Sequence, residues 1–150
     1  MDGAELMRKV AAGFEKSDLQ PLLDAVHPDI VWKTGAKSAG LFRFNGEYKR
    51  DAIRELLAQI SMDYTVRRLE PKEIISSGDI VWGLFDMSLT FDQKMAFDQK
   101  VTSAPPKIVE LEIAIRWRLK DGKVIEHQGF FDTASLLMQQ GQVSPGALIL

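Results

Sequence analysis

The apolar residues of this chain change their spacing at Tyr64, and this change limits the fold more than any other feature of the sequence. Before Tyr64 they recur at helical spacing, as in amphipathic helices. The predicted helices cover residues 6–14, 18–26 and 50–60, and a short strand covers 30–32. After Tyr64 the apolar residues alternate, as in half-buried strands. The predicted strands cover residues 64–76, 80–91, 108–119 and 123–131, and a short helix covers 133–140.

The order of these elements predicts the fold class. Because the helices come first and the strands follow as a meander, the chain is predicted to be an α+β protein. A curved sheet of such strands would hold the helices against its concave face and leave a pocket between them, where small ligands usually bind. The 150 residues, 45% of them apolar, fit one domain over residues 1–150 whose core needs no disulfide or metal.

Composition argues against several kinds of partner and cofactor. Nineteen Lys and Arg against 21 Asp and Glu give a net charge of −2, which argues against nucleic acid as a partner. With no cysteine, two histidines and no nucleotide-binding motif, the sequence leads us to expect neither metal nor cofactor. It has no apolar run of ~18 residues and no apolar N-terminal signal, so a cytoplasmic protein without membrane contact is expected.

Three stretches fall outside the predicted elements. Residues 34–46 are turn-rich but carry a leucine and two phenylalanines, and we expect them to fold over another part of the protein. Residues 92–106 contain a short repeat and are expected to form a charged hairpin tip without a catalytic role. The apolar C-terminal tail, residues 143–150, is expected to dock on its own domain or on a partner.

Three segments, taken in order, resemble the SnoaL-like branch of the NTF2-like superfamily. They are His-Pro-Asp-Ile-Val-Trp at residues 27–32, Gly-Glu-Tyr at 46–48 before Arg-Asp-Ala-Ile at 50–53, and Asp-Gly-Lys-Val-Ile-Glu-His at 121–127 before Phe-Phe-Asp at 130–132. The resemblance implies a cone-shaped α+β barrel, with a curved mixed or antiparallel sheet around the N-terminal helices, and commonly a dimer through the open face of the sheet. The family includes ketosteroid isomerases, polyketide cyclases, limonene epoxide hydrolases and scytalone dehydratase, so the motifs select no single activity.

Asp132 is the first candidate catalytic residue, because it closes a strand directly after two aromatic residues. Apolar surroundings would raise the pKa of its carboxyl group toward values useful in acid–base chemistry. The resemblance implies the same role, since cyclases and epoxide hydrolases of the family use a pocket aspartate at this strand end. Because Thr133 begins a predicted helix, Asp132 could instead serve only as its cap. Epoxide hydrolysis would also need an arginine and a second acid, and the nearest, Glu110, Glu112 and Arg116, alternate away from the apolar face.

His127 is the second catalytic candidate, because an ordinary histidine pKa of ~6.5 suits proton transfer near neutral pH. It precedes Asp132 by an odd number of residues, which places the two side chains on opposite faces of a strand unless a bulge intervenes. Gly129 could mark such a bulge. Without one, His127 is expected on the sheet surface at a dimer interface.

Several aromatic side chains are candidates for lining a substrate pocket, although plain core packing is the alternative for each. Those proposed for substrate binding are Trp32, Tyr48, Trp82, Trp117 and Phe130, with Phe44 and Phe131 as further candidates. A buried Tyr48 phenol could donate a hydrogen bond to an oxyanion. Asp86 would be a buried substrate-binding carboxylate if its side of the strand faces the pocket, and a surface charge otherwise.

The sequence leaves three functions open. The first is a cofactor-free enzyme that moves a proton on a hydrophobic small molecule, in a cyclisation, isomerisation or dehydration, with Asp132 as acid or base. The second is a non-catalytic ligand-binding or dimerisation module of the same fold. The third is an epoxide hydrolase. In each case a homodimer is expected, because polar and apolar residues are mixed on the strand at 108–119.

Overall fold

The structure is a computed structural model that describes residues 1–34, 46–92 and 105–141. Its helices are α1 (Gly3–Glu15), α2 (Gln20–Ala25), α3 (Arg50–Asp63) and α4 (Thr133–Gln139). Its strands are β1 (Val26–Thr34), β2 (Gly46–Lys49), β3 (Tyr64–Ser77), β4 (Ile80–Phe91), β5 (Lys107–Lys120) and β6 (Lys123–Phe131). Tyr64 is the first residue of β3, which confirms the predicted change from helix to strand. None of the helices in these ranges is both long and apolar enough to cross a membrane.

The six strands form one sheet in the order β2-β1-β6-β5-β4-β3. Strand β1 runs parallel to β6, and every other neighbouring pair is antiparallel. The sheet is therefore mixed, and the predicted α+β class with a mixed sheet and N-terminal helices is confirmed. Because β1 pairs with β6, the first strand of the chain lies beside the last.

Two boundaries near β1 differ from the prediction. Helix α2 ends at Ala25 and β1 begins at Val26, so the His27–Pro28 pair lies inside a strand and not between the predicted helix over 18–26 and the predicted strand over 30–32. The pairing of β1 with β6 shifts between Val26 and Val31, and this irregularity accommodates a proline, which has no N–H to give to a ladder. Strand β2 was not predicted, because its four residues are too few to show an alternating pattern.

Alternation along the strands gives the sheet an inner face, which the helices cover, and an outer face. On the inner face, Phe85 and Val81 of β4 are fully buried, as the sequence predicts. A Cβ atom added at Gly83 would stand 2.5 Å from Phe85 Cε2 and 2.6 Å from Met7 Sδ. The glycine therefore lets α1 approach the sheet closely. Helix α1 packs mainly on β3 and β4, and α3 packs mainly on β1, leaving β5 and β6 between them.

The outer face carries charged residues in cross-strand pairs. Lys72 Nζ lies 3.5 Å from a carboxylate oxygen of Asp86 and 3.6 Å from one of Glu112. Arg116 donates a 3.0 Å hydrogen bond to Glu126. Arg116 and Glu126 lie on the adjacent strands β5 and β6, whereas Lys72 of β3 reaches across β4 to Glu112 of β5. The charged side chains of these strands therefore alternate onto the outer face.

Helix α4 completes an edge of β5 that β6 does not reach. Strand β6 ends at Phe131, opposite Ile113, so the earlier part of β5 extends past it. There the Glu110 N–H donates to Gln139 Oε1 at 2.8 Å, and Gln139 Nε2 donates to the Glu110 carbonyl at 2.8 Å. One side-chain amide thus makes the two hydrogen bonds that a neighbouring strand would make, which protects a sheet edge from unwanted pairing.

A tight turn at Asp121–Gly122 closes the β5–β6 hairpin. Asp121 and Gly122 join β5 to β6 with φ angles of 53° and 72°, the two positive values that a type I′ turn requires. The expectations for the loop within residues 35–45, the hairpin tip within 93–104 and the tail at 143–150 lie outside the described residues, as does Phe44.

Candidate functional site

Four of the predicted site residues lie in one row across the inner face. Tyr48 of β2 pairs with Trp32 of β1, Trp32 pairs with His127 of β6, and His127 pairs with Trp117 of β5. Trp32, His127 and Trp117 are buried, with 6%, 7% and 2% of their surface exposed, and Tyr48 is half-buried. His127 therefore lies on the inner face, and the expectation that it lies on the sheet surface at a dimer interface is wrong.

The two tryptophans hold the His127 ring on two sides. The Trp117 indole N–H donates a hydrogen bond to His127 Nδ1 at 3.0 Å. The ring of Trp32 stacks on the imidazole with 3.5 Å between centroids and 5° between planes. An indole N–H can only donate, so Nδ1 must be the acceptor nitrogen of the imidazole. In a neutral imidazole the hydrogen then resides on Nε2.

Burial decides the charge of His127. Because desolvation penalises the imidazolium ion, it lowers the pKa of His127 from 6.5 to about 3. The Trp117 N–H also points its positive end at the ring and offers nothing to an imidazolium. His127 is therefore neutral at neutral pH, and the ordinary pKa that made it a candidate for proton transfer is lowered in the folded protein.

Gly129 opens the inner face next to His127. It follows His127 by two residues on the same side of β6, and a Cβ atom added there would lie 3.6 Å from His127 Nε2 and 3.8 Å from Ile113 Cδ1. Because glycine has no side chain, the space beside Nε2 is left clear. The apolar side chains around this point are only partly buried. They are Tyr48, Ile113, Ile115 and Phe131.

Thr34 is also part of this site, although no pattern in the sequence pointed to it. It pairs with Gly129 across the parallel β1–β6 contact, and its Oγ1 accepts a 2.8 Å hydrogen bond from the Trp32 indole. Neither Thr34 nor Gly129 stands out in a spacing pattern. Only the pairing of two strands from opposite ends of the chain brings them together. We name the surface formed by Thr34, His127, Gly129, Ile113 and Ile115 the inner-face site.

Asp132 lies outside this site. It is exposed, and its Oδ1 accepts a 3.0 Å hydrogen bond from the Ser135 N–H at the start of α4. The predicted alternative, a helix N-cap, is confirmed. The pairing of β5 with β6 runs without interruption from Ile113 to Trp117, so the described pairing contains no bulge at Gly129, where the sequence had left one open. The catalytic role of Asp132 stays a prediction.

Trp82, Asp86 and Phe130 occupy the outer face and do not share a surface with His127. Trp82 and Phe130 are 43% and 41% exposed, and their ring centroids are 6.1 Å apart. Asp86 pairs with Lys72, so it is the surface charge that the sequence allowed as an alternative. Counting along β4 gives the same result: residues 82 and 86 lie an odd number of positions from the buried Phe85, and successive side chains of a strand point to opposite faces.

A separate surface cavity of about 290 Å³ lies between α2, β1 and α3. It is lined by Leu23, Val26, Arg50, Asp51, Ile53 and Arg54. None of the predicted site residues lines it, and its three charged residues are exposed.

The sheet and its helices define a class of protein, the NTF2-like fold. An NTF2-like protein of unknown function from Burkholderia pseudomallei is similar over 90% of this chain and 94% of its own, with a TM-score of 0.74 and 20% identity. TerC, co-crystallised with polyporic acid, is similar over 90% and 95%, with a TM-score of 0.71 and 23% identity. IdmH, a putative polyketide cyclase from Streptomyces antibioticus, is similar over 91% and 96%, with a TM-score of 0.66 and 19% identity.

Within this class the chain belongs to the SnoaL-like family, because the model of the SnoaL-like domain matches residues 7–127. The match includes all four residues of the inner-face row, Trp32, Tyr48, Trp117 and His127, and His127 is its last residue. Asp132 and α4 therefore lie beyond the matched region. The resemblance predicted from the sequence is thereby confirmed. The comparison with curated proteins found no significant match.

Proposed function

We propose that this protein binds a hydrophobic small molecule at the inner-face site, between α1 and α3. The observation that carries the proposal is the missing side chain at Gly129, whose Cβ position lies beside one buried polar nitrogen, His127 Nε2, and beside the partly buried Ile113. Mainly apolar walls with few polar groups are typical of small-molecule sites. The similar structures support it, since they include a putative polyketide cyclase and a protein co-crystallised with polyporic acid.

A second candidate function is cofactor-free acid–base catalysis of the cyclase, isomerase or dehydratase type. It is favoured by the structural likeness to proteins described as putative polyketide cyclases. His127 is a poor proton acceptor near neutral pH because its pKa is lowered to about 3, so it would orient a substrate and not take up its proton. Asp132, the acid or base predicted from the sequence, caps α4 outside the inner-face site, so ligand binding is the better supported of the two functions. Epoxide hydrolysis gains no support, because Glu110, Glu112 and Arg116 alternate onto the outer face.

The binding proposal is tested by the three tryptophans of the chain, which report on both faces of the sheet. Trp32 and Trp117 lie beside the inner-face site, and Trp82 lies on the outer face. The indole N–H signals in a ¹H–¹⁵N NMR spectrum would be assigned with single Trp→Phe variants and followed during titration with aromatic and terpenoid ketones. We expect the Trp32 and Trp117 signals to shift and the Trp82 signal to stay. Shifts confined to Trp82, or no shift with any ketone, would contradict the proposal.

We also propose that two copies associate through the outer face. Ile75, Trp82 and Phe130 are exposed there, beside residues of both charges, so two identical faces can complement each other across a twofold axis. Sedimentation equilibrium at micromolar concentration should give a dimer. A Trp82→Lys variant should be monomeric, whereas a Lys72→Ala variant at the side of the patch should remain a dimer. A monomeric wild type would contradict this proposal.

A further inference from the structure

We propose that His127 is a fixed hydrogen-bond donor whose Nε2–H binds an uncharged carbonyl oxygen of the ligand. The inference rests on the proposed function, because it names the chemical group that the inner-face site recognises. It assigns His127 a role other than the proton transfer that its residue type suggests. Three features of the site support this role: the ring nitrogen that carries the hydrogen, the space that this N–H faces and the polarity of the surrounding side chains.

The tautomer is set by Trp117. Its indole N–H lies 3.0 Å from His127 Nδ1 and can only donate, so Nδ1 must carry a lone pair. Rotating the imidazole by half a turn would place an N–H against the indole N–H and lose this bond. The stacked ring of Trp32, 3.5 Å away and 5° from parallel, holds the imidazole plane. The two tryptophans, one on each strand that flanks β6, therefore fix both the plane of the imidazole ring and the nitrogen that carries its hydrogen.

The Nε2–H is a buried donor without an acceptor in the part of the chain that the structure describes. Within residues 1–34, 46–92 and 105–141, the bond to Nδ1 is the single hydrogen bond of the His127 side chain. The residue is 7% exposed, so bulk water does not replace the missing partner. Buried donors are almost always paired in native proteins, with protein groups, ordered water or ligands. The space in front of Nε2 is the one that Gly129 leaves clear, since a Cβ there would lie 3.6 Å away.

The surroundings select the kind of acceptor. The described residues of the site carry no charged side chain: Ile113 and Ile115 are apolar, the Thr34 hydroxyl accepts the Trp32 N–H, and His127 itself is neutral. A carboxylate or phosphate would have to leave water with no countercharge from these residues, which is unfavourable. A metal ion is also disfavoured, because Nε2 carries a hydrogen and Nδ1 is occupied. A ketone, aldehyde or quinone oxygen needs one donor and tolerates apolar walls, so this class fits best.

The first experiment examines the wild-type protein without any ligand. Long-range ¹H–¹⁵N correlation spectra of uniformly labelled protein distinguish a protonated ring nitrogen from an unprotonated one. We expect Nε2 of His127 to be protonated and Nδ1 unprotonated throughout pH 5–8. A hydrogen on Nδ1, or a titration with a midpoint near 6.5, would overturn the proposal. This measurement needs no variant, so it holds even if substitutions impair folding.

The second experiment compares two ligands of the same skeleton, 1-tetralone and tetralin, which differ by one carbonyl. Their dissociation constants would be measured by NMR titration for the wild type and for His127→Asn. In the variant, Asn Oδ1 can still accept the Trp117 N–H, but no donor occupies the Nε2 position. We expect the ratio of tetralin to tetralone dissociation constants to fall by roughly 3- to 10-fold in the variant, the effect of one neutral hydrogen bond. Gln128→Asn, next in sequence but on the outer face, should leave the ratio unchanged.

The outcomes separate the two proposals. If both compounds bind the wild type and the ratio is the same in His127→Asn, the inner-face site stands and the donor role is wrong, with ordered water as the partner of Nε2. If neither compound nor any ketone of the earlier titration binds the wild type, the proposed function fails and the donor role fails with it. A lowered ratio together with protonated Nε2 supports both.

Discussion

Each face of the sheet carries a tryptophan next to an aromatic ring on another strand, but the two pairs differ in exposure and in hydrogen bonding. Trp117 on the inner face is 2% exposed and donates a hydrogen bond to His127. Trp82 on the outer face is 43% exposed and lies beside Phe130, with ring centroids 6.1 Å apart. The same residue type therefore serves as part of a buried polar contact on one face and as an exposed apolar patch on the other.

The polar contacts of the two faces also differ in what they contribute. On the outer face, ion pairs such as Arg116 with Glu126 are partly solvated, and such pairs contribute little to stability. On the inner face, the bond between Trp117 and His127 is buried, and removing one partner leaves the other unpaired away from water. A substitution of one polar group is therefore expected to cost more stability on the inner face, although the outer face carries far more charge. The following predictions test this contrast in order of decreasing effect.

The largest difference is expected when the two tryptophans are truncated. Trp117→Ala should lower the free energy of unfolding by about 3–5 kcal/mol, because it removes a buried ring and leaves a cavity. Trp82→Ala should cost less than about 1 kcal/mol, since an exposed ring buries little surface. Urea unfolding at a protein concentration where the wild type is monomeric provides the measurement. Equal losses for the two variants would contradict the assignment of the faces.

The second effect is a pH dependence of stability that belongs to His127. The unfolded chain takes up a proton below a pKa of 6.5, but the folded chain does so only near 3, so stability is complete above pH 6.5 and is lost as pH falls. The loss should be roughly 1.4 kcal/mol per pH unit between pH 6 and 4.5. His127→Asn, whatever its stability at pH 7, should lack this component of the slope.

Glu126 serves as the comparison on the outer face. Hydrogen bonding from Arg116 is the main cause that lowers the pKa of Glu126 below its usual 4.5. Its stabilising contribution is present above that value and lost as pH falls below it, so it does not act in the same pH window. Unfolding curves measured from pH 7 to 4.5 therefore isolate His127. Parallel curves for the wild type and His127→Asn would show that His127 titrates normally in the folded protein.

The third effect concerns ligand binding and not stability. Gly129→Leu should weaken 1-tetralone binding at least about tenfold, the equivalent of ~1.4 kcal/mol, because its side chain would occupy the space beside His127. A Cβ atom at residue 129 makes only ordinary van der Waals contacts, so the first atom of the new side chain fits, and a cooperative unfolding transition of the variant would show that the fold accommodates the rest. Gln128→Leu adds the same side chain one residue earlier, on the outer face, and should leave the affinity unchanged. Unchanged affinity for Gly129→Leu would place the ligand elsewhere.

The smallest effect is expected from the outer-face ion pairs. Glu126→Gln removes the interactions with Arg116 and Arg118 and should cost less than about 1 kcal/mol at pH 7, since these side chains are substantially exposed. The loss should shrink further in 1 M salt because exposed charges are screened. Unfolding measurements at low and high salt test it. At a protein concentration where the wild type is monomeric, a cost comparable to that of Trp117→Ala would contradict the exposure of these side chains.

Much of the fold could be predicted because its signals are local. Helical spacing places α1 and α3, alternation places the inner residues of β4 and β5, and the Asp121–Gly122 pair defines its turn. Strand β2 was missed because four residues show no period. The division of the predicted binding residues between two faces could have been derived by counting from Phe85. The predicted catalytic pair could not be assessed this way, because the role of Asp132 as a cap depends on where β6 ends.

The sequence by itself determined the order of the elements, the inner residues of β4 and β5, and the family. Tertiary structure alone decided which of these residues meet, because the parallel pairing of β1 with β6 places Trp32 beside His127 although they are far apart in the chain. It also decided the charge and tautomer of His127. A pKa depends on desolvation and on hydrogen-bond partners from other strands, whereas a sequence pattern reports only on neighbours within a few residues.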